Sequence, residues 1–119
     1  MDAPGRERDK DMLRVHEVAV RLVREVMPLL DAIQRVDPDL ARQARRAVMS
    51  TPLNIAEGSE QAGKRRNLHY RIAMGSAREA WSALQVAGAA RYITPPPPEL
   101  KNSFDEVIGT LHRCVVKKS

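Results

Sequence analysis

The side chains that could do chemistry in this sequence are few and form no known catalytic or metal-binding motif. Its histidines, His16, His69 and His112, have no glutamate three residues away, so the Glu-x-x-His arrangement of di-iron bundles is absent. No HExxH motif and no glycine-rich loop before a Lys-Ser/Thr pair occurs. The single cysteine, Cys114, cannot form an internal disulfide, and we interpret it as a buried, inert thiol rather than a reactive one. We therefore predict a non-enzymatic protein with no metal or other cofactor.

One carboxylate, Glu79, falls on the same predicted helix row as Ile72 and Ser76, which would direct it inward. An unpaired charge in a core is costly. Glu79 is therefore either held by a serine, an asparagine such as Asn54, or an arginine, or it is a catalytic acid. We favour the structural interpretation, because no nucleophile, metal ligand or second matched acid accompanies it in the sequence.

Positive charge is concentrated in the middle of the chain. The whole chain has a net charge of +5, and residues 41–78 contain eight basic residues against two acidic ones. A basic surface of this kind attracts nucleic-acid phosphates, although it also serves solubility alone. Only Tyr70 is an aromatic neighbour, so the pattern predicts phosphate contact without base recognition. The candidate nucleic-acid-binding residues are Arg42, Arg45, Arg46, Lys64, Arg65, Arg66, Arg71 and Arg78.

The elements that must position these residues are helices within one domain. The chain has 119 residues, of which 3% are aromatic, so its core must be aliphatic and rich in alanine, as in closely packed helices. The apolar periodicity predicts an all-α, antiparallel up-down four-helix bundle spanning 9–118, after a disordered tail over 1–8. The predicted helices cover about 9–35, 38–57, 64–91 and 99–116.

Local signals support these helix boundaries. Asp37 suits an N-cap and Pro38 the first position of the second helix, where Pro52 predicts a kink and Gly58 a stop. The prolines at 95–98 predict a rigid connector before the last helix, with a PxxP ligand as the alternative.

The second and third helices each carry two apolar sides, which is more than a bundle of this size can bury. We predict that the second sides form an interface between copies of the chain. The candidate interface residues are Met49, Leu53, Ala56, Tyr70, Met74 and Trp81.

The order of motifs in the centre of the chain points to a family. The pair Arg45-Arg46 precedes Ser-x-Pro-x-Asn-Ile-Ala-Glu-Gly, which ends at Gly58, and the next helix carries Gly75-Ser76 and Glu79. Over roughly residues 13–93, this order resembles the signature of the four-helix-bundle proteins encoded in 23S ribosomal-RNA intervening sequences. The motif positions in this chain are Pro52, Asn54, Glu57, Gly58, Ser76 and Glu79.

The resemblance extends in fold to the accessory proteins of diversity-generating retroelements. Those proteins form basic pentameric barrels that bind nucleic acid and a reverse transcriptase. The resemblance thus implies self-association, as a pentameric ring, and implies RNA and a reverse transcriptase as partners. Five copies of a basic surface would multiply weak phosphate contacts by avidity.

The leading hypothesis is therefore an oligomeric, RNA-binding accessory protein without enzymatic activity. The alternative is an oligomeric protein-binding scaffold that has no nucleic-acid role. The chain lacks a run of about 20 apolar residues and its first residues lack the apolar centre of a signal peptide, so we expect a cytoplasmic protein with no membrane partner.

Overall fold

The protein is all-α in the computed structural model, which describes the backbone of residues 4–116 and the side chains of residues 10–115. Its helices are α1 (Pro4–Gln34), α2 (Pro38–Ser59), α3 (Gly63–Ala89) and α4 (Pro98–Val116), and residues 4–116 contain no strand. Each helix packs on the one before it, and α4 also packs on α1, which closes an elongated four-helix bundle of 52 × 24 × 22 Å. The predicted fold class is confirmed at the level of four helices.

Apart from the start of α1, the helix ends lie within two residues of the predicted positions. This helix begins at Pro4, so the structure places helix at residues 4–8, within the predicted disordered tail. Proline suits the first helical position because its φ is already helical and it lacks the N–H that would be unpaired there. Residues 1–3 and 117–119, the remaining parts of the predicted tail and of the bundle's end, lie outside the described residues.

The predicted start of α2 is confirmed. The Asp37 side chain accepts a hydrogen bond from the Leu40 backbone N–H at 3.0 Å, and Pro38 occupies the first turn. The side chain therefore satisfies one of the amides that every helix leaves unpaired at its beginning. The helix then continues through the buried Pro52 as far as Ser59.

Gly58 does not end α2, contrary to the sequence prediction. The C-cap is Glu60 in a right-handed conformation, and Gly58 is buried in the last turn of the helix. A Cβ added at Gly58 would lie 2.5 Å from Cε1 of Tyr70 and 3.2 Å from Cβ of His69. The glycine is needed because side chains of α3 lie against the α2 backbone at this point. This role depends on how the two helices pack and is not visible in the sequence.

Alanines form much of the contact between α2 and α3, the most extensive helix pair of the bundle. Small side chains allow the two backbones to approach closely, while larger aliphatic residues fill the space towards α1 and α4. The only aromatic pair in the described residues is Trp81 with Phe104, whose ring centroids are 5.3 Å apart. The buried alanines of the two helices are Ala41, Ala44, Ala47, Ala73, Ala77, Ala80, Ala83 and Ala87.

The predicted second apolar side of α3 is wrong. Tyr70 is 3% exposed, and Met74 and Trp81 are half-buried against the core, so this row faces inward. Leu68 and Ile72 of the other apolar row are exposed instead, and together with the exposed Val86 they form what we term the α3 ridge. The side of α3 that packs is the one that carries its buried alanines. Alanine is only weakly apolar, so this side does not stand out in the sequence pattern.

The second apolar side of α2 is exposed in a single copy of the chain, as predicted. Leu53 is 68% exposed, Met49 is 43% exposed, and Ala56 is exposed beside them. None of the helices within the described residues has both the length and the apolar character that crossing a membrane requires.

Candidate nucleic-acid interface

A chain of polar side chains joins α2 to α3 along one side of the bundle. The Asn54 Nδ2 group donates to the backbone oxygen and to Oγ of Ser50, both at 3.0 Å. Its Oδ1 atom accepts from Nδ1 of His69 at 3.0 Å, and the hydroxyl oxygens of Ser50 and Ser76 lie 2.9 Å apart. These four residues, which we term the polar seam, fix the register of α2 against α3.

The polar seam explains the spacing of the central motif. Pro52 has no N–H and so cannot pair with the carbonyl of Val48 in the helix ladder. Side chains add bonds to carbonyls around this gap, from Thr51 Oγ1 to Ala47 at 3.0 Å and from Asn54 to Ser50. Asn54 must follow Ser50 by one helical turn to contact it. The asparagine therefore supports α2 and also connects it to α3.

Beside the polar seam lies a depression of about 290 Å³ between α2 and α3. Glu79 lies in it and is exposed, so the predicted inward position of this carboxylate is wrong. Ile72, on the same row of α3, is also exposed. The lining residues are Gln43, Arg46, Ala47, Ser50, Ser76 and Glu79.

The predicted basic centre divides into separate groups in the structure. On α2, Arg42 forms an ion pair with Asp39 at 2.6 Å and Arg45 pairs with Asp31 of α1 at 3.8 Å. Arg46 points instead to the depression. Acidic partners thus neutralise two of the three α2 arginines, and sequence reasoning missed the pairing with Asp31 because it depends on how α1 packs on α2.

The first turn of α3 contains three consecutive basic residues. Lys64 and Arg65 are exposed, and Arg66 donates from Nε to the backbone oxygen of Gln61 at 2.9 Å. This turn contains no acidic residue, and Ala62 gives no side-chain cap. The positive end of the helix dipole therefore adds to the charge of Lys64, Arg65 and Arg66, which we term the α3 cluster.

The remaining two candidates are exposed on another side of α3. Arg71 and Arg78 share the side that carries Trp81, which contacts α4, whereas the polar seam faces α2. At 1.5 Å per residue, the α3 cluster lies about 20 Å along α3 from Glu79, which lines the depression together with Arg46. The eight candidates therefore do not form a single patch.

The motifs, their positions at the α2–α3 contact and the four-helix fold agree with a family comparison. The family model for the 23S rRNA-intervening sequence protein matches residues 11–113. The chain belongs to this family. The match confirms the family resemblance derived from the central motif. Comparison with curated proteins and with solved structures finds no significant match.

Within this family fold, most motif residues have a structural place. Asn54 and Ser76 form the polar seam, Gly58 admits Tyr70, and Pro52 is buried in α2. Glu57 and Glu79 are exposed, so neither carboxylate is held in the core. No group of histidine, cysteine and carboxylate side chains suited to a metal ion occurs in the part of the chain that the structure describes.

Proposed function

We propose that the protein is a non-enzymatic accessory factor that binds RNA through the α3 cluster and acts as an oligomer. The observation that carries the proposal is the first turn of α3, where three basic residues coincide with a helix N-terminus that has no acidic side chain. The name of the family, which refers to a ribosomal-RNA intervening sequence, supports RNA as the nucleic acid. More specifically, we propose that its ligand is an RNA–protein complex, such as one that contains a reverse transcriptase.

We expect RNA binding to be strongly dependent on salt and to require the α3 cluster. Replacing Lys64, Arg65 and Arg66 by alanine removes about three phosphate contacts. The plot of log affinity against log salt should therefore become less steep, by about 2 units of slope for single strands. Affinity at low salt should fall at least about tenfold. Filter binding of a labelled ribosomal-RNA fragment at about 50 and 200 mM salt measures both quantities.

The matched control removes the same charge from the outer side of α1. Arg21 and Arg24 are exposed on α1 and Arg35 is exposed in the turn after it, so the triple alanine variant should bind RNA nearly as the wild type does. Absence of RNA binding at low salt, or equal losses in the two variants, would contradict the proposal. Oligomer formation without RNA binding would favour the protein-binding scaffold, which the exposed apolar faces also suit.

Self-association is supported by an apolar strip between α1 and α2. The Asp31–Arg45 pair and a cleft lined by His16 and Glu60 set the antiparallel register of these helices. Counting the same number of residues along both antiparallel helices from either of these contacts places Val20 level with Ala56. The resulting α1–α2 strip consists of Leu13, Val20, Met49, Leu53 and Ala56, all of which are exposed in one copy.

The α1–α2 strip and the α3 ridge lie on different sides of the bundle, with the polar seam between them. A contact from the strip of one copy to the ridge of the next is head-to-tail, and such contacts close into a ring when the rotation permits. We propose this arrangement for the oligomer, with a pentamer as its specific form. The contact uses Leu68 and Ile72 of the ridge and leaves the level of Glu79, about 10 Å further along α3, open to solvent. The ridge thereby replaces Tyr70, Met74 and Trp81 as the α3 half of the interface.

Light scattering at micromolar concentration should give a mass several times that of the 13.3 kDa chain. Leu53→Glu should shift this mass towards the monomer, because it places a charge in the centre of the strip. Val36→Glu is the control, since Val36 in the α1–α2 turn is 59% exposed, against 68% for Leu53, but lies outside both faces. A monomeric wild type would contradict the ring.

A further inference from the structure

The α2–α3 depression contains two opposite charges that do not contact each other. Arg46 and Glu79 both line it, yet neither forms an ion pair with the other or with any other described side chain. Both side chains are exposed and belong to different helices. Together they leave room for a ligand that offers hydrogen-bond donors to the carboxylate and acceptors to the guanidinium.

We propose that this depression binds the guanine base of a single-stranded RNA segment. This inference rests on the proposed RNA-binding function and deepens it, because it adds base recognition to phosphate attraction. The Glu79 carboxylate accepts hydrogen bonds from the N1–H and N2–H groups of guanine, and Arg46 donates to O6 and N7. Carboxylates and arginines are the side chains that pair with base donors and with the O6/N7 edge, respectively.

Guanine is the base that can form two hydrogen bonds with each of the two charged groups. Adenine has a single amino donor group flanked by ring-nitrogen acceptors, so it cannot offer two adjacent donor groups to Glu79. Cytosine and uracil each present only one donor position on the edge used for pairing. Recognition of this kind requires an unpaired base whose edges are free, which is how most sequence-specific RNA recognition occurs.

The walls of the depression are held in position before any ligand binds. The hydroxyl groups of Ser50 and Ser76 lie 2.9 Å apart in one wall, and Asn54 fixes Ser50 through a hydrogen bond of 3.0 Å. The volume of about 290 Å³ is near the lower limit of ordinary ligand pockets, which suits one base rather than a longer stretch. Ala47 provides an apolar contact in this pocket.

The test compares four labelled adenine-rich RNAs of about ten nucleotides that differ only at one central position, which is guanine, inosine, adenine or cytosine. The full chain should bind the guanine RNA about five- to tenfold more tightly than the adenine or cytosine RNA. Inosine lacks the N2 amino group and should fall between them. Glu79→Gln and Arg46→Gln should each remove the preference while binding at low salt persists, because the α3 cluster remains.

The control is Glu17→Gln, which makes the same change of charge at an exposed position on α1 and should keep the preference. Equal affinities for the four RNAs, or a guanine preference that survives Glu79→Gln, would overturn the guanine site and leave the phosphate-binding function in place. If the wild type bound none of the four RNAs, both proposals would be overturned. Circular dichroism of each variant verifies that the helices are retained.

Discussion

Replacing Phe104 by alanine is expected to lower the free energy of unfolding by about 3–5 kcal/mol, the largest effect of a single substitution in this bundle. Phe104 is 1% exposed and is the largest fully buried side chain of the described residues. Its ring contacts Trp81, which brings α4 onto α3. Because the surrounding core consists mainly of small and branched aliphatic side chains, most of the cavity that alanine would leave should remain unfilled.

Urea unfolding followed by tryptophan fluorescence measures this loss directly. The chain has a single tryptophan, Trp81, and it is the residue that contacts Phe104. Phe104→Leu is the control, since it keeps much of the buried apolar volume and should cost roughly 1–2 kcal/mol. Wild type and variants should be compared at one protein concentration, because assembly would add to apparent stability. An unchanged unfolding midpoint for Phe104→Ala would contradict the packing of α4.

Gly58→Ala is expected to destabilise the fold by about 1 kcal/mol, although alanine is the better helix former. The new Cβ would lie 2.5 Å from the ring of Tyr70, whose side chain is buried and whose hydroxyl lies 3.4 Å from Oγ of Ser59. Overpacking of this kind costs about 1–3 kcal/mol and occasionally more. It outweighs the gain in helix propensity of about 1 kcal/mol.

Gly75→Ala is the matched control and should have the opposite sign. Gly75 lies in the middle of α3, is exposed, and has open space where a Cβ would be added. Alanine should therefore stabilise the helix by about 0.5–1 kcal/mol. Thermal unfolding of the two variants beside the wild type measures both effects. A Gly58→Ala variant as stable as Gly75→Ala would show that α3 does not approach α2 closely.

Local chemistry was sufficient to predict the four helices and the start of α2. The Asp37-Pro38 start of α2 depends on one side chain and the backbone beside it, and apolar spacing within each helix is set by its own geometry. The same signals failed at Gly58, because a glycine at the end of an apolar run resembles a C-terminal stop. Only the ring of Tyr70, twelve residues later, distinguishes the two roles.

The amino-acid sequence by itself determined the family, the four helices and the excess of apolar surface on α2. The tertiary structure decided which side of α3 is exposed, which arginines have acidic partners, and that Arg46 and Glu79 share one depression. These features depend on rotation and register between helices, which result from the packing of small alanine side chains and from hydrogen bonds such as Ser50–Ser76. Periodicity within one helix contains no information about the helix that packs against it.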